Sequence, residues 1–297
     1  MSYLISDQFQ QWQAECEQRF QQLKRNEEEL NRIFIDIYGL QDELPPDVAD
    51  KDVTVRRADL GREIRSLISY AVGCMMGRYS LKVQGLAYAG GEWDVSKYSP
   101  DFLPDKDGIL PIADDEYYDD DIVNRFIRFV EVVYGADTLD ANLRFIADAL
   151  GGENKPPKDV IRNYFLNDFY KDHLKIYQKR PIYWLFDSGK QNGFKALVYL
   201  HRYDRDTLGR IRTDYVHPQQ ERLRTQMDGE RHLIEAGDAR QRSLATKRLD
   251  KLQKQLTELG KYEEELHHLA DERIPLDLDD GVKVNYAKMG SLVAAIK

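Results

Sequence analysis

The sequence predicts a mainly α protein: a helical bundle with long amphipathic or coiled-coil helices and a small β-hairpin or sheet near 181–201. Three observations carry this expectation. Apolar residues recur at steps of three and four from Ser6 to Tyr38, the spacing of one helix face. Ala245, Leu249, Leu252, Leu256, Leu259, Glu263 and Leu266 form a heptad seam interrupted only by Glu263. Between these, Ile182–Phe186 and Phe194–Leu200 are short apolar runs on either side of Asp187–Gly193, a turn-rich segment ending in an Asn-Gly pair, which reads as a hairpin.

Taken in order, the first helix is marked by Phe9, Trp12, Cys16, Phe20, Leu23, Leu30, Ile33, Phe34 and Ile37. Ser6 or Asp7 is placed to cap it, Gly39 stands where a left-handed C-terminal residue belongs, and Pro45-Pro46 forbids continuation. A second helix spans Asp59–Arg78, with Ser69, Gly73 and Gly77 small enough for close packing. Residues 79–119 are punctuated by glycines and prolines, with Tyr88, Trp93, Tyr98 and Phe102 between them. Such a structured loop is either a functional surface or a segment folded onto the core by its aromatic side chains. Helices are expected at Ile122–Tyr134, at Thr138–Leu150 before Gly151-Gly152, and from Asp159 to about Gln178. After the hairpin, whose first strand follows Pro181, come a short helix at Asp206–Tyr215 and a long polar helical region from Gln219, with Gly229 and Gly237 as possible breaks. The seam in that region fits either self-association or packing onto the first helix. The chain divides by this reading into a helical body, 1–217, a helical hairpin or coiled coil, 218–272, and a tail, 273–297, that packs back on the body.

Composition excludes several classes. Charged residues make up 32% of 297 positions and no apolar run approaches the ~20 residues that span a bilayer, so no membrane association is expected. The first 20 residues lack a basic start followed by an apolar block, which places the protein in the cytoplasm. Cys16 and Cys74 read as buried thiols. The net charge of −9 hides an asymmetry: residues 92–160 carry 7 Lys/Arg against 17 Asp/Glu, whereas residues 161–231 carry 14 against 9. That basic block, with aromatic residues interleaved, is the best physical lead to a partner, because neutralising phosphates needs several cations on one surface. Its candidate DNA contacts are Lys171, Lys175, Lys179, Arg180, Lys190, Lys195, Arg202, Arg205, Arg210 and Arg212. The competing account is a solvated face over an aromatic core.

Other chemistry is thin. Asp114-Asp115-Glu116 and Asp119-Asp120-Asp121 invite a hard-cation site, but they precede the helix at Ile122, where carboxylates commonly complement the helix dipole. No metal ligand is assigned. His267 and His268 are adjacent on a helix and diverge; His173, His201 and His217 lie in or beside the basic block. There is no phosphate loop, no His-Glu-x-x-His pair and no Gly-x-Ser-x-Gly elbow.

The blocks NEEELNRIFIDIYGLQDEL (26–44), TVRRADLGREIRSLISYAVGCMMGRYSL (54–81), GLAYAGGEWD (85–94), the run from Ile161 to Tyr215 and LDLDDGVKVNYAK (276–288) resemble the C-terminal part of the PglX family. These are the adenine-specific DNA methyltransferases of BREX phage defence. The resemblance implies a parent enzyme that uses S-adenosylmethionine to methylate adenine N6 and that flips its target base. The chain departs from that enzyme in lacking an Asn-Pro-Pro-Tyr or Asp-Pro-Pro-Tyr motif and a glycine-rich cofactor loop; Asn154-Lys155-Pro156-Pro157 has the wrong order. It is therefore expected to be a non-catalytic C-terminal fragment or separately encoded half, with no catalytic residue and no cofactor of its own. Its expected partners are DNA, the N-terminal methyltransferase domain and other BREX proteins. It would brace the enzyme and touch the DNA backbone, or, as the alternative, act as a protein-interaction scaffold without DNA contact.

Overall fold

The computed structural model describes residues 3–114, 117–118 and 120–296, and it is mainly helical with one small antiparallel sheet. Two compact units are present, Met1–Ile68 with Val130–Pro157, and Ser69–Phe129 with Lys158–Lys297.

In the first unit, α1 (Ile5–Tyr38) follows the predicted stripe and ends at Gly39, which takes a left-handed φ of 68° and donates its N–H to Ile35 O. Its start differs from expectation. Neither Ser6 nor Asp7 caps it; the Ile5 N–H donates instead to Asn142 Oδ1 (2.8 Å), a residue of α4 (Leu139–Ala149). A distant amide thus replaces a local cap, which satisfies the same orphan donor. Gly151, at φ 82°, stands just beyond α4, after its C-cap Leu150.

In the second unit, the end of α2 (Leu60–Met76) shows why small residues recur there. A Cβ on Gly73 would lie 2.3 Å from the Tyr79 ring, and one on Gly77 2.4 Å from Trp93. The 79–119 loop is folded onto the core by its aromatics: Trp93 stacks on Tyr98 (5.0 Å between centroids), and Tyr98 donates to Gly77 O (2.7 Å). The loop also supplies a strand. β1 (Ile109–Pro111) pairs with β3 (Lys195–Tyr199), which pairs with β2 (Tyr183–Asp187), so the expected hairpin is the greater part of a three-stranded antiparallel sheet in the order β1-β3-β2. The free edge of β2 is covered by the tail, where Asp187 N–H donates to Leu292 O (3.0 Å) and Ala294 N–H to Leu185 O (2.8 Å). Covering an edge removes a template for unwanted pairing.

Three further expectations are corrected. The helix read over 159–178 is two, α5 (Pro157–Asn167) and α6 (Phe169–Ile176), broken at Asp168 so that Tyr164 and Phe165 meet Phe169. The helices around 206–236 are one run: α7 (Thr207–Arg210), a π-helical segment over Ile211–Val216, and α8 (His217–Ala236). Pro218 has no N–H to continue the ladder and crowds the preceding turn, which accounts for the wider coil there. Finally, the seam on α9 (Ala239–Asp271) faces the core of its own unit. Leu259 and Leu266 lie in one buried cluster with Phe194, Tyr215, Leu223 and Leu292, and Leu252 and Leu256 pack against it. Glu263, which interrupts the seam, pairs with Arg212 (2.7 Å) and with His217 (3.3 Å) beside the π turn. Cys16 and Cys74 are buried free thiols, as expected. Among the described residues no helix is long and apolar enough to cross a membrane.

Candidate nucleic-acid interface

The basic block is organised by the reversal between α6 and β2. Gln178 and Lys179 both take left-handed φ values, 50° and 61°, and the Lys179 N–H reaches back to Leu174 O (2.8 Å) while that of Arg180 reaches Tyr177 O (2.9 Å). This tight turn leaves Lys175, Lys179 and Arg180 exposed. His173 holds the chain that leaves it: the N–H groups of Ile182 and Tyr183 both donate to His173 Nε2, at 3.2 Å each. An atom that accepts two hydrogen bonds carries no proton, so the proton sits on Nδ1, a buried atom with no hydrogen-bond partner among the described residues. The ring lies between Tyr177 (4.6 Å) and Tyr183 (4.9 Å). Burial, aided by the Arg78 charge, drives its pKa from 6.5 down to about 3, so the ring stays neutral.

The antiparallel register aligns Tyr183 with Tyr199 and Asp187 with Lys195. Lys179, Arg180, Arg202 and Arg205 therefore belong to one end of the sheet, and Lys190 and Lys195 to the other. Arg205 and Lys190 are exposed, as is Lys171, which pairs with Asp168 (3.1 Å). The remaining four bind within the fold. Lys195 pairs with Asp187 (3.1 Å), Arg210 with Asp204 (2.8 Å) and Arg212 with Glu263 (2.7 Å). Arg202 donates to the carbonyls of Asp105 and Lys106 (2.7 Å each) and lies 4.3 Å over the Trp93 ring. A groove of about 1310 Å³ opens beside the α6–β2 turn, lined by Lys179, Arg180, Lys283, Leu278, Tyr286 and Ile296. The cations with free reach thus concentrate on the turn.

The acidic segment is tied down residue by residue. Asp121 is fully buried, accepts from the N–H of Val123 (3.1 Å) at the start of α3 (Ile122–Tyr134), and pairs with Arg162 at 2.9 and 3.0 Å. Asp114 pairs with Lys251 (2.5 Å). Asp115, Glu116 and Asp119, the rest of the sequence's hard-cation motif, lie outside the described residues. Tyr215 Oη lies 2.9 Å from Asp120 Oδ2 and 3.1 Å from Asp107 Oδ2. Burial and the neighbouring Asp105 raise the Asp107 pKa from 3.8 to about 7, against the hydrogen bond that the Tyr215 hydroxyl donates to this carboxylate. Asp105 accepts from Gly108 N–H (2.9 Å), where φ is 76°.

Sequence reasoning missed two positioning residues. His173 was visible in the basic block, but nothing local marked it as an acceptor for the strand that follows. Glu258 of α9 holds the hairpin turn from 65 or more positions away: it accepts from Ser188 Oγ (2.9 Å) and from the N–H groups of Gln191 (2.8 Å) and Gly193 (3.2 Å).

No family model matches the chain. It is similar to the adenine-specific methyltransferase PglX of Lacticaseibacillus casei (strain Zhang), with 52% identity over 297 residues, covering 97% of this chain and 24% of that protein. It is also similar to the adenine-specific methyltransferase BrxX of Escherichia coli O9:H4 (strain HS), with 45% identity over 246 residues, covering 79% of this chain and 20% of that protein. The chain thus spans about a quarter or less of the length of these curated relatives, and it matches the C-terminal region of PglX.

Proposed function

We propose, from its match to the C-terminal region of PglX, that this chain is the non-catalytic C-terminal module of a BREX-type, site-specific adenine-N6 DNA methyltransferase in phage defence. In this reading the S-adenosylmethionine and the chemistry belong to the methyltransferase portion of the parent. The module braces that enzyme and contacts the DNA backbone. The 52% identity over nearly the whole chain is the observation that carries the reading. The exposed Lys175, Lys179 and Arg180 on one strained turn support the DNA contact, since phosphate binding needs solvent-facing cations whose charge is not already matched inside the fold. Lys190 and Arg205 are exposed as well and would extend the contact along the unit.

The test is a titration of duplex DNA with the purified chain at low salt, followed by gel shift and anisotropy. Binding is expected to weaken steeply with salt, and reversal of the turn cations (Lys175→Glu, Lys179→Glu, Arg180→Glu) should lower affinity by about tenfold or more while reducing the salt slope by roughly one for each contact removed. Absence of binding at low salt, or affinity unchanged in the folded triple variant, would reject the backbone contact and leave the scaffold role as the alternative.

A further inference from the structure

Helix α1 carries one apolar stripe along its length, and its first half is covered except at Trp12, which is 38% exposed. There Ile5, Cys16 and Phe20 are buried, Phe9 packs against Phe145 (6.4 Å between centroids), and the Arg57 guanidinium lies 3.8 Å over the Phe20 ring. From Leu30 the stripe continues at Ile33, Phe34 and Ile37, spaced as the anchors of a helix that docks against a partner, yet these side chains are 46% to 68% exposed, and Tyr38 is 70% exposed. The chain's own return segment does not cover them. It runs along another flank of α1, where Asn31 Nδ2 donates to Pro46 O (3.1 Å), Val48 N–H donates to Glu28 Oε1 (3.3 Å) and Lys24 pairs with Asp50 (2.8 Å). Ile35 is the apolar residue that becomes buried in this part of the helix.

The borders of the bare stripe select its occupant. On α1 the stripe is bordered by Glu27, Glu29 and Asp36, one turn from its apolar residues, and the nearby Arg32 is already paired with Glu29 (3.2 Å). A second copy would bring the same acidic borders face to face, and anionic lipid or nucleic acid would be repelled by them. A helix with an apolar face bordered by lysine and arginine is complementary in both shape and charge. We propose that the stripe Leu30–Ile33–Phe34–Ile37 is a docking surface for a basic-bordered amphipathic helix of another protein segment. This inference does not depend on the DNA contact proposed above, which concerns the other compact unit.

The probe is a fluorescein-labelled synthetic helix of about three heptads with Leu at a and d and Lys at e and g, compared with a twin carrying Glu at e and g. The full chain should bind the Lys-bordered peptide, with affinity that falls as salt rises, and bind the Glu-bordered twin at least about tenfold more weakly. Ile33→Glu with Ile37→Glu should reduce binding of the Lys-bordered peptide by about tenfold or more, since a few central anchors dominate such contacts. Both positions are exposed, so circular dichroism should be unchanged; Tyr38→Glu provides a second, milder variant. Equal binding of the two peptides, or binding unaffected by the variants, would overturn the proposal. So would a sedimenting dimer, or binding to anionic vesicles, that the double substitution abolishes.

Discussion

Single buried groups set the electrostatics of the sheet and its approach. His173 must stay neutral to accept two backbone N–H groups, and its folded pKa of about 3 lies below the ordinary 6.5. Between those values the unfolded chain binds more protons than the folded one, so this group's contribution is intact above about pH 6.5 and is lost progressively as pH falls towards 3. From about pH 7 to about pH 5 that amounts to roughly 2 kcal/mol. In denaturant titrations His173→Asn should therefore show a shallower loss of stability on acidification than the parent; equal slopes would remove His173 from this role. Asp107 acts in the opposite sense, since its raised pKa makes the folded state hold a proton that is released, with loss of stability, as pH rises towards about 7. The comparison of the parent with the His173 variant cancels that contribution. Arg162 and Asp121 form a buried pair in which each satisfies the other. Arg162→Met should cost about 3 to 5 kcal/mol by leaving the buried Asp121 carboxylate without a counter-charge, and adding Asp121→Asn should restore part of it. Thermal unfolding of the two variants checks the order. No spacing rule exposes such a pair: 41 positions separate its members, and either one alone reads as a surface charge.

At the level of elements, periodicity served well where one face meets one core. The extents of α1, α3 and α4 follow their apolar spacing to within a residue or so. It served less well where two elements share a segment. The break at Asp168 and the π turn before Pro218 follow from ring packing and a missing donor, which a smooth helical pattern conceals. The hairpin shows the same division. Its strands were legible as two short apolar runs flanking the turn that ends in Asn192-Gly193, but the conformation of its turn depends on Glu258. Glu258→Ala removes the acceptor for two backbone N–H groups and one hydroxyl. It should destabilise the protein by about 1 to 3 kcal/mol and speed amide exchange at Gln191 and Gly193 more than elsewhere. Uniform exchange across the sheet would instead mean that the turn holds itself.

At the scale of the whole molecule, the charge asymmetry seen along the chain survives folding only in part. Lys195, Arg202, Arg210 and Arg212 face carboxylates or carbonyls of their own fold, so the basic block presents fewer cations than its composition promises. Any DNA affinity should accordingly depend on the α6–β2 turn, with Lys190 and Arg205 as its outliers, and its salt slope should match that small number of contacts. Fold class, the long first helix with its stop at Gly39, and the likeness to PglX were settled by the sequence, because each depends on local spacing or on residue identity in continuous blocks. Tertiary structure decided the rest. It gave the loop a strand in the sheet, turned the heptad seam onto the sheet core, sorted bound cations from exposed ones, and left the second half of the α1 stripe bare. Those outcomes turn on which distant group reaches a buried donor or acceptor first, and on which apolar face finds a partner, and a one-dimensional pattern of hydrophobicity and charge carries neither.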